Sequence, residues 1–309
     1  MSVCVVGHSN PDTDSIAAAI AYANYLKATG TDAKACAQIA ADKINPESQV
    51  VLARYGLAAP ETLMDAEGKD VALVDYSDIA QAPANITKAN VVAIVDHHKI
   101  GDITTNGPIF FYAKPVGCTC TVLFEMYKTN KVALPKNIAG AMLCAILSDT
   151  VNFKSPTCTP EDKAAVKELL TIAGESDQDA LFMEMLKAKS SVAGVPIKDL
   201  VFRDYKDFDM NGKKVGIGQI ELATLDQVAD IRSDLYNALG DLKKDGRHSV
   251  LFMLTDVVKE GTDLLVVSED TALIEKAFGA KLEGQSMWVN GMMSRKKQTV
   301  PPLQKAFGC

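Results

Sequence analysis

The chain has 309 residues, 48% of them apolar, and a formal net charge of −7. That is enough to bury a substantial core, and the length suggests two domains. The acidic balance, with no basic face interleaved with aromatics, argues against extended nucleic-acid binding, and no apolar run approaches the ~18 residues expected of a membrane span. Met1-Ser2-Val3-Cys4 lacks the charged start of a secretory signal, so a soluble cytoplasmic protein is expected. The seven cysteines include no Cys-x-x-Cys pair, and Cys118-Thr119-Cys120 has the wrong spacing for a zinc knuckle; they read as reduced packing thiols.

In chain order, the apolar Val3, Val5 and Val6 predict a strand. The loop Gly7-His8-Ser9-Asn10-Pro11-Asp12-Thr13-Asp14-Ser15 follows, then an alanine-rich helix from Ile16, with Asp14 or Ser15 as its cap. His8, Asp12 and Asp14 thereby gather at one strand's carboxyl end, the rim where open α/β sheets bind ligands. By themselves the two acids are equally well explained as turn and cap residues. A second strand is expected at Ala33 to Ala40 and a short helix at Pro46 to Tyr55. Val71 to Val74 is a buried strand closed by Asp75, and Val91 to Val95 another that runs into Asp96-His97-His98. If these strands are parallel, all their acidic or imidazole ends share one rim. Helices are predicted from Gly117 to Lys128 and from Pro135 to Leu147, with Asp149 just past the second, at the end where the helix dipole disfavours a carboxylate unless a cation compensates. Thr159-Pro160-Glu161-Asp162 caps a further helix through Ala173. Lys154 is a secondary phosphate-binding candidate, although a solvated lysine explains it as well.

The domain division expected is 1–188 for the first domain, 189–195 for a linker where the helical pattern gives way to small polar residues, and 196–309 for the second. The first is an α/β domain with a mainly parallel sheet flanked by helices. The second is a smaller α+β domain with a mixed sheet, with strands at Leu200 to Phe208, Lys213 to Ile220, Val250 to Val258 and Leu264 to Val267, and a helix at Leu225 to Leu239. Composition alone makes Arg295-Lys296-Lys297 a solvated basic run, and His248 a structural or surface residue.

His8, Asp12, Asp14, Asp75, His97 and Asp149 together offer two imidazoles and four carboxylates, a hard donor set that favours manganese, cobalt or magnesium over structural zinc. Six ligands suit two ions sharing a carboxylate better than one, and a water between two such ions would be acid enough to act as a nucleophile near neutral pH. The segments His8 to Ser15, Asp75, Asp96-His97-His98 and Ser148-Asp149-Thr150 resemble the DHH phosphoesterase superfamily. The ending Ser294-Arg295-Lys296-Lys297-Gln298 is similar to the signature of its family II, manganese-dependent inorganic pyrophosphatases.

The resemblance covers essentially the whole chain and names the second module as DHHA2-type. It implies that His8, Asp12 and Asp75 hold one ion and Asp14, Asp75, His97 and Asp149 the other, manganese or cobalt in both, with magnesium accompanying the substrate. It further implies that Asp96 orients a ligand, that His98 faces the substrate, and that Lys206, Arg295 and Lys296 bind the two phosphates of pyrophosphate. His98 is the expected proton or hydrogen-bond donor to the leaving oxygen, Asp14 or another ligating carboxylate the acceptor of the water's proton. Closure of the domains over substrate and a homodimer formed through first-domain strands are expected on the same ground. The rival readings are another DHH phosphoesterase, acting on polyphosphate, oligonucleotides or cyclic dinucleotides, and a non-catalytic metal-dependent regulatory protein.

Overall fold

The computed structural model describes residues 2–309, and the chain divides into two compact units between Lys189 and Ser190. In the first unit β1 (Val3–Val6), α1 (Thr13–Ala28), β2 (Ala33–Ala37), α2 (Pro46–Arg54), β3 (Glu61–Thr62), β4 (Asp70–Val74), β5 (Asn90–Asp96) and β6 (Phe110–Ala113) are followed by α3 (Thr119–Thr129), α4 (Lys136–Asp149), α5 (Pro160–Ala173) and α6 (Gln178–Lys189). The strands form one six-stranded sheet in the order β3-β2-β1-β4-β5-β6, and every neighbouring pair is parallel.

Alternation along the strands sorts the core. Val3, Val5, Ala72, Val74, Ala93 and Val95 face α1, α3 and α4, whose alanines and small side chains allow close approach. Val6, Val71, Leu73 and Ile94 face the other way and are covered by Leu63, Ala66, Ile86 and Ala89, which belong to loops and 3₁₀ turns rather than helices. On α5, the Thr159 hydroxyl and the Asp162 carboxylate form the expected capping box.

In the second unit α7 (Ile197–Phe202), β7 (Tyr205–Met210), β8 (Lys213–Leu222), α8 (Arg232–Lys244), β9 (Ser249–Asp256), β10 (Gly261–Ser268), α9 (Thr271–Phe278), β11 (Ser286–Asn290) and α10 (Val300–Phe307) build a sheet ordered β11-β10-β9-β8-β7. It is mixed: β8 and β9 are parallel and the other pairs antiparallel. Both faces are covered, one by α9 and α10, the other by α7 and α8. The strand expected over Leu200 to Phe208 is instead the end of a helix and then β7. Ile197, Leu200 and Val201 stand at helical spacing behind Pro196, and the polar/apolar alternation that begins after them does not extend back through them. The helix expected from Leu225 starts only at Arg232, because the Leu225 amide is drawn to the Asp256 carboxylate and Leu225–Val228 forms a 3₁₀ turn.

Candidate metal centre

In the first sheet the chain leaves β1 toward β2 and returns to β4 on β1's other side. The carboxyl ends of β1 and β4 therefore flank the point where strand order reverses, the usual ligand crevice of such sheets. His8 follows β1 there and Asp75 follows β4. Asp75 sits at φ +69, a left-handed backbone uncommon for a residue with a Cβ. The α1 cap is Asp12, not Asp14 or Ser15: its Oδ1 accepts the Ser15 amide at 2.9 Å. Ser15 Oγ accepts the His8 amide at 2.9 Å. Gly7 is required by this closeness, since a Cβ there would lie 2.2 Å from that same Oγ.

The two imidazoles are held in the same way. His8 Nδ1 bonds the Ser9 carbonyl at 2.8 Å and His97 Nδ1 the Val116 carbonyl at 2.9 Å. A carbonyl can only accept, so each ring carries a proton on Nδ1 and turns Nε2 inward. His8 Nε2 lies 3.3 Å from Asp75 Oδ2, and His97 Nε2 lies 3.4 Å from Asp75 Oδ1. Asp12 Oδ2 is 3.6 Å from His8 Nε2. Ligand atoms of His8, Asp12 and Asp75 all fall within 4.8 Å of one another, as do those of Asp14, His97 and Asp149.

Asp14 is fully buried, and its two oxygens accept the backbone amides of Thr119 and Cys120 at 2.6 and 3.0 Å. These are among the unsatisfied amides at the start of α3, where the helix dipole favours an anion. Thr119 Oγ1 donates to Asp75 Oδ1 at 3.1 Å. Asp149 is the last residue of α4, one position inside the helix rather than past it, so its carboxylate stands at the negative end of the dipole. Directly after it, Val151, Asn152 and Phe153 are all left-handed, with φ of 48, 49 and 71. Asp96 Oδ1 accepts the amides of His97 and His98 and faces His98 Nδ1 at 2.9 Å. It thus fixes the turn that presents both histidines.

The metal-free electrostatics are frustrated. Burial and then the neighbouring Asp75 charge push the Asp14 carboxyl up to about 7. Burial and the Asp14 charge push Asp149 well above the carboxylate range. Burial works against charge on His8 and His97, but hydrogen bonds to carboxylates outweigh it and raise them to about 11 and about 9. Asp75 is itself buried, yet its bonds to His8 and His97 hold it below the usual range. Protons on the imidazoles thus substitute for missing positive charge, the condition a bound divalent cation relieves. The thiols of Cys118 and Cys120 lie close to Asp14, but burial pushes both well above their ordinary value and keeps them neutral. The donor set therefore stays hard, of the kind that would hold manganese or magnesium.

In the second unit Lys206 lies on β7 opposite Ile217, whose carbonyl is 3.4 Å from Arg295 Nη1. The strand pairing thus places Lys206 opposite the residue whose carbonyl Arg295 meets. Lys296 is exposed on the π-helical turn Arg295–Thr299. Sequence reasoning did not find Thr119, Val116, Asp204 or Gln219, which act through hydrogen bonds to distant elements and carry no motif. A usable signal existed for Thr119 alone, since it falls in the first turn of the helix predicted from Gly117, where amides are free.

Residues 2–146 match the DHH family N-terminal domain and residues 183–306 the DHHA2 domain. Fold and rim therefore define a two-module DHH protein. Among similar proteins, one from Archaeoglobus fulgidus named a probable manganese-dependent inorganic pyrophosphatase is 50% identical, over 99% of this chain and 98% of the relative. Manganese-dependent inorganic pyrophosphatases of Methanothrix thermoacetophila and Methanocaldococcus jannaschii are 47% and 45% identical, covering 99% and 98% of this chain and 98% of each relative. A crystal structure from Methanococcus jannaschii, assigned to the family II inorganic pyrophosphatases, superposes with a TM-score of 0.63 at 44% identity, with full coverage of both chains. The chain belongs to the family of manganese-dependent, family II inorganic pyrophosphatases.

Proposed function

We infer that the protein hydrolyses inorganic pyrophosphate to two orthophosphates, using two divalent ions held at the rim of the first sheet. The observation that supports two ions best is the division of Asp75, one oxygen toward His8 and the other toward His97. His8, Asp12 and Asp75 would hold one ion and Asp14, Asp75, His97 and Asp149 the other. Manganese is favoured by the names of the relatives, cobalt is a workable substitute, and magnesium is proposed to accompany the substrate. When bound, the ions supply Lewis acidity that neutralises the polyanion and acidifies a water.

The chain's own residues then divide the work. Lys206 and Lys296 act as point charges on the phosphates, and Arg295 offers two parallel hydrogen bonds. Water attacks one phosphorus in line with the bridging oxygen, whose bond to that phosphorus breaks. His98 is half exposed, and its hydrogen bond to Asp96 raises its pKa. It would thus donate a proton or hydrogen bond from Nε2 to the departing oxygen. The water's proton needs a carboxylate with a free lone pair. Asp14 or another ligating carboxylate would accept it; Asp12 is a candidate because its Oδ2 accepts no backbone amide, whereas each Asp14 oxygen accepts one from α3.

A homodimer is proposed through β6, the outer strand of the first sheet, which leaves Phe110 and Phe111 exposed at 48% and 43%. No helix among the described residues is long and apolar enough to cross a membrane, and all seven cysteines are free. A reducing, cytoplasmic setting is proposed on the thiols.

The test is phosphate release from pyrophosphate, tripolyphosphate and a dinucleotide, with manganese, cobalt, magnesium or chelator. Manganese-dependent release from pyrophosphate is expected. Cleavage of the dinucleotide but not of pyrophosphate would overturn the reading in favour of a nuclease-like DHH enzyme.

A further inference from the structure

Arg295 does not hang free in solvent. Nη1 donates to the backbone carbonyl of Asp204, with the Ile217 carbonyl at 3.4 Å, and Nη2 donates to the Asp204 carboxylate. The side chain is only 10% exposed. Its backbone is held as well: the Arg295 amide donates to Gln219 Oε1 at 3.2 Å. The buried Gln219 in turn donates through Nε2 to Thr255 Oγ1 at 3.0 Å and to the Met293 carbonyl at 2.9 Å. Gln219 lies mid-strand on β8 and Asp204 directly before β7, so two neighbouring strands grip one residue of the π-helical turn.

We propose that Asp204 and Gln219 are positioning residues for phosphate recognition, holding Arg295 so that one defined edge of its guanidinium faces the substrate. The proposal rests on the pyrophosphatase reading of Arg295 and adds to it how that arginine is aimed. A guanidinium has five N–H donors in a planar fork. Asp204 occupies the edge formed by Nη1 and Nη2. The edge formed by Nε and Nη2 keeps two parallel N–H groups, the pair that matches two oxygens of one phosphate. Since only Tyr205 separates Asp204 from Lys206, the contact that aims the arginine also ties it to the strand that carries the lysine. Placing a carboxylate next to an anion site opposes binding electrostatically. Asp204 is 53% exposed, so water screens much of that repulsion, and the orientation gained outweighs it.

The experiment is a double-mutant cycle in the intact protein. Binding of a non-hydrolysable pyrophosphate analogue is followed by calorimetry beside kcat and KM. Asp204→Ala should weaken analogue binding and raise KM on the order of tenfold, as expected for loss of a charge-assisted hydrogen bond. Asp204→Asn, which retains an acceptor oxygen, should restore most of it. In an Arg295→Ala background the Asp204→Ala change should have no further effect, because its route is through that arginine. Gln219→Leu should also weaken binding, but its bond is to the Arg295 backbone amide, which Arg295→Ala keeps, so the cycle rests on Asp204. An undiminished Asp204→Ala effect without Arg295, or none with it, overturns the positioning role. Arg295→Ala that binds analogue normally sinks the assignment of Arg295 itself, a separate failure. Melting curves of the variants exclude misfolding, and the Asn variant keeps the proposal testable if the Ala variant is unstable.

Discussion

Replacing Thr119 with valine tests how Asp75, the carboxylate proposed to serve both ions, is held. The side chain is fully buried and isosteric with valine, so the change removes little but the donor to Asp75 Oδ1, 3.1 Å away. A hydrogen bond to a charged group contributes about 1.5–3 kcal/mol. In the metal-free protein that bond is present and is lost outright, so a stability loss of that size and a melting point lower by roughly 3–10 °C are expected. In the loaded protein the oxygen must also stay aimed at an ion. Loss of a hydrogen bond supporting a ligand typically weakens metal affinity about 10–100-fold. Because the metal-free state loses the same bond, the change should fall near the lower limit, about tenfold. Manganese titration by calorimetry, with melting curves in chelator, measures both quantities. A variant that melts and binds manganese as the unaltered protein does would refute the view that Thr119 fixes Asp75.

Asp75→Asn removes the charge common to both histidines and should abolish tight binding of at least one ion, with activity falling at least a hundredfold by an order-of-magnitude estimate; full manganese-dependent turnover would defeat the shared-carboxylate arrangement. Metal loading should expel more than two protons per chain near pH 7, because His8 and His97, raised to about 11 and about 9, must be neutral to ligate, and the raised Asp14 and Asp149 carboxyls must be ionised. The sign follows directly: each of these groups binds its proton more tightly without metal, so affinity strengthens as pH rises, by at least about tenfold per unit for each ion between pH 7 and about 9. A pH-indicator titration in weak buffer that detected no proton release would contradict this. The Tyr76 hydroxyl is, among the described residues, the buried side-chain polar atom without a hydrogen-bond partner. Tyr76→Phe should therefore leave stability unchanged or raise it by up to about 1 kcal/mol in urea unfolding; a clear loss would show that the hydroxyl has a partner. Phe111→Lys on β6 should shift sedimentation toward the monomer, and an unchanged coefficient would remove β6 as the interface.

By itself the sequence determined the strand ends and what stands on them. Val3 to Val6, Val71 to Val74 and Val91 to Val95 are short apolar runs that must be buried, and the polar residue ending each run must emerge at the rim. That placed His8, Asp75 and Asp96 to His98 on one rim before any coordinates. The second unit was less legible where two periodicities abut, as between Ile197 and Phe208. Only the tertiary structure decided how the ligands are held. Asp14 is bonded by the Thr119 amide, 105 residues away, and Arg295 by Asp204, 91 residues away. Such partners leave no local pattern, because hydrophobic periodicity records which face of an element is buried and says nothing of which polar group on a distant element it meets. The same holds for the division of Asp75 between two imidazoles. The residue types suggested a hard donor set large enough for two ions, but its geometry depends on adjacent parallel strands whose ends meet where the strand order reverses.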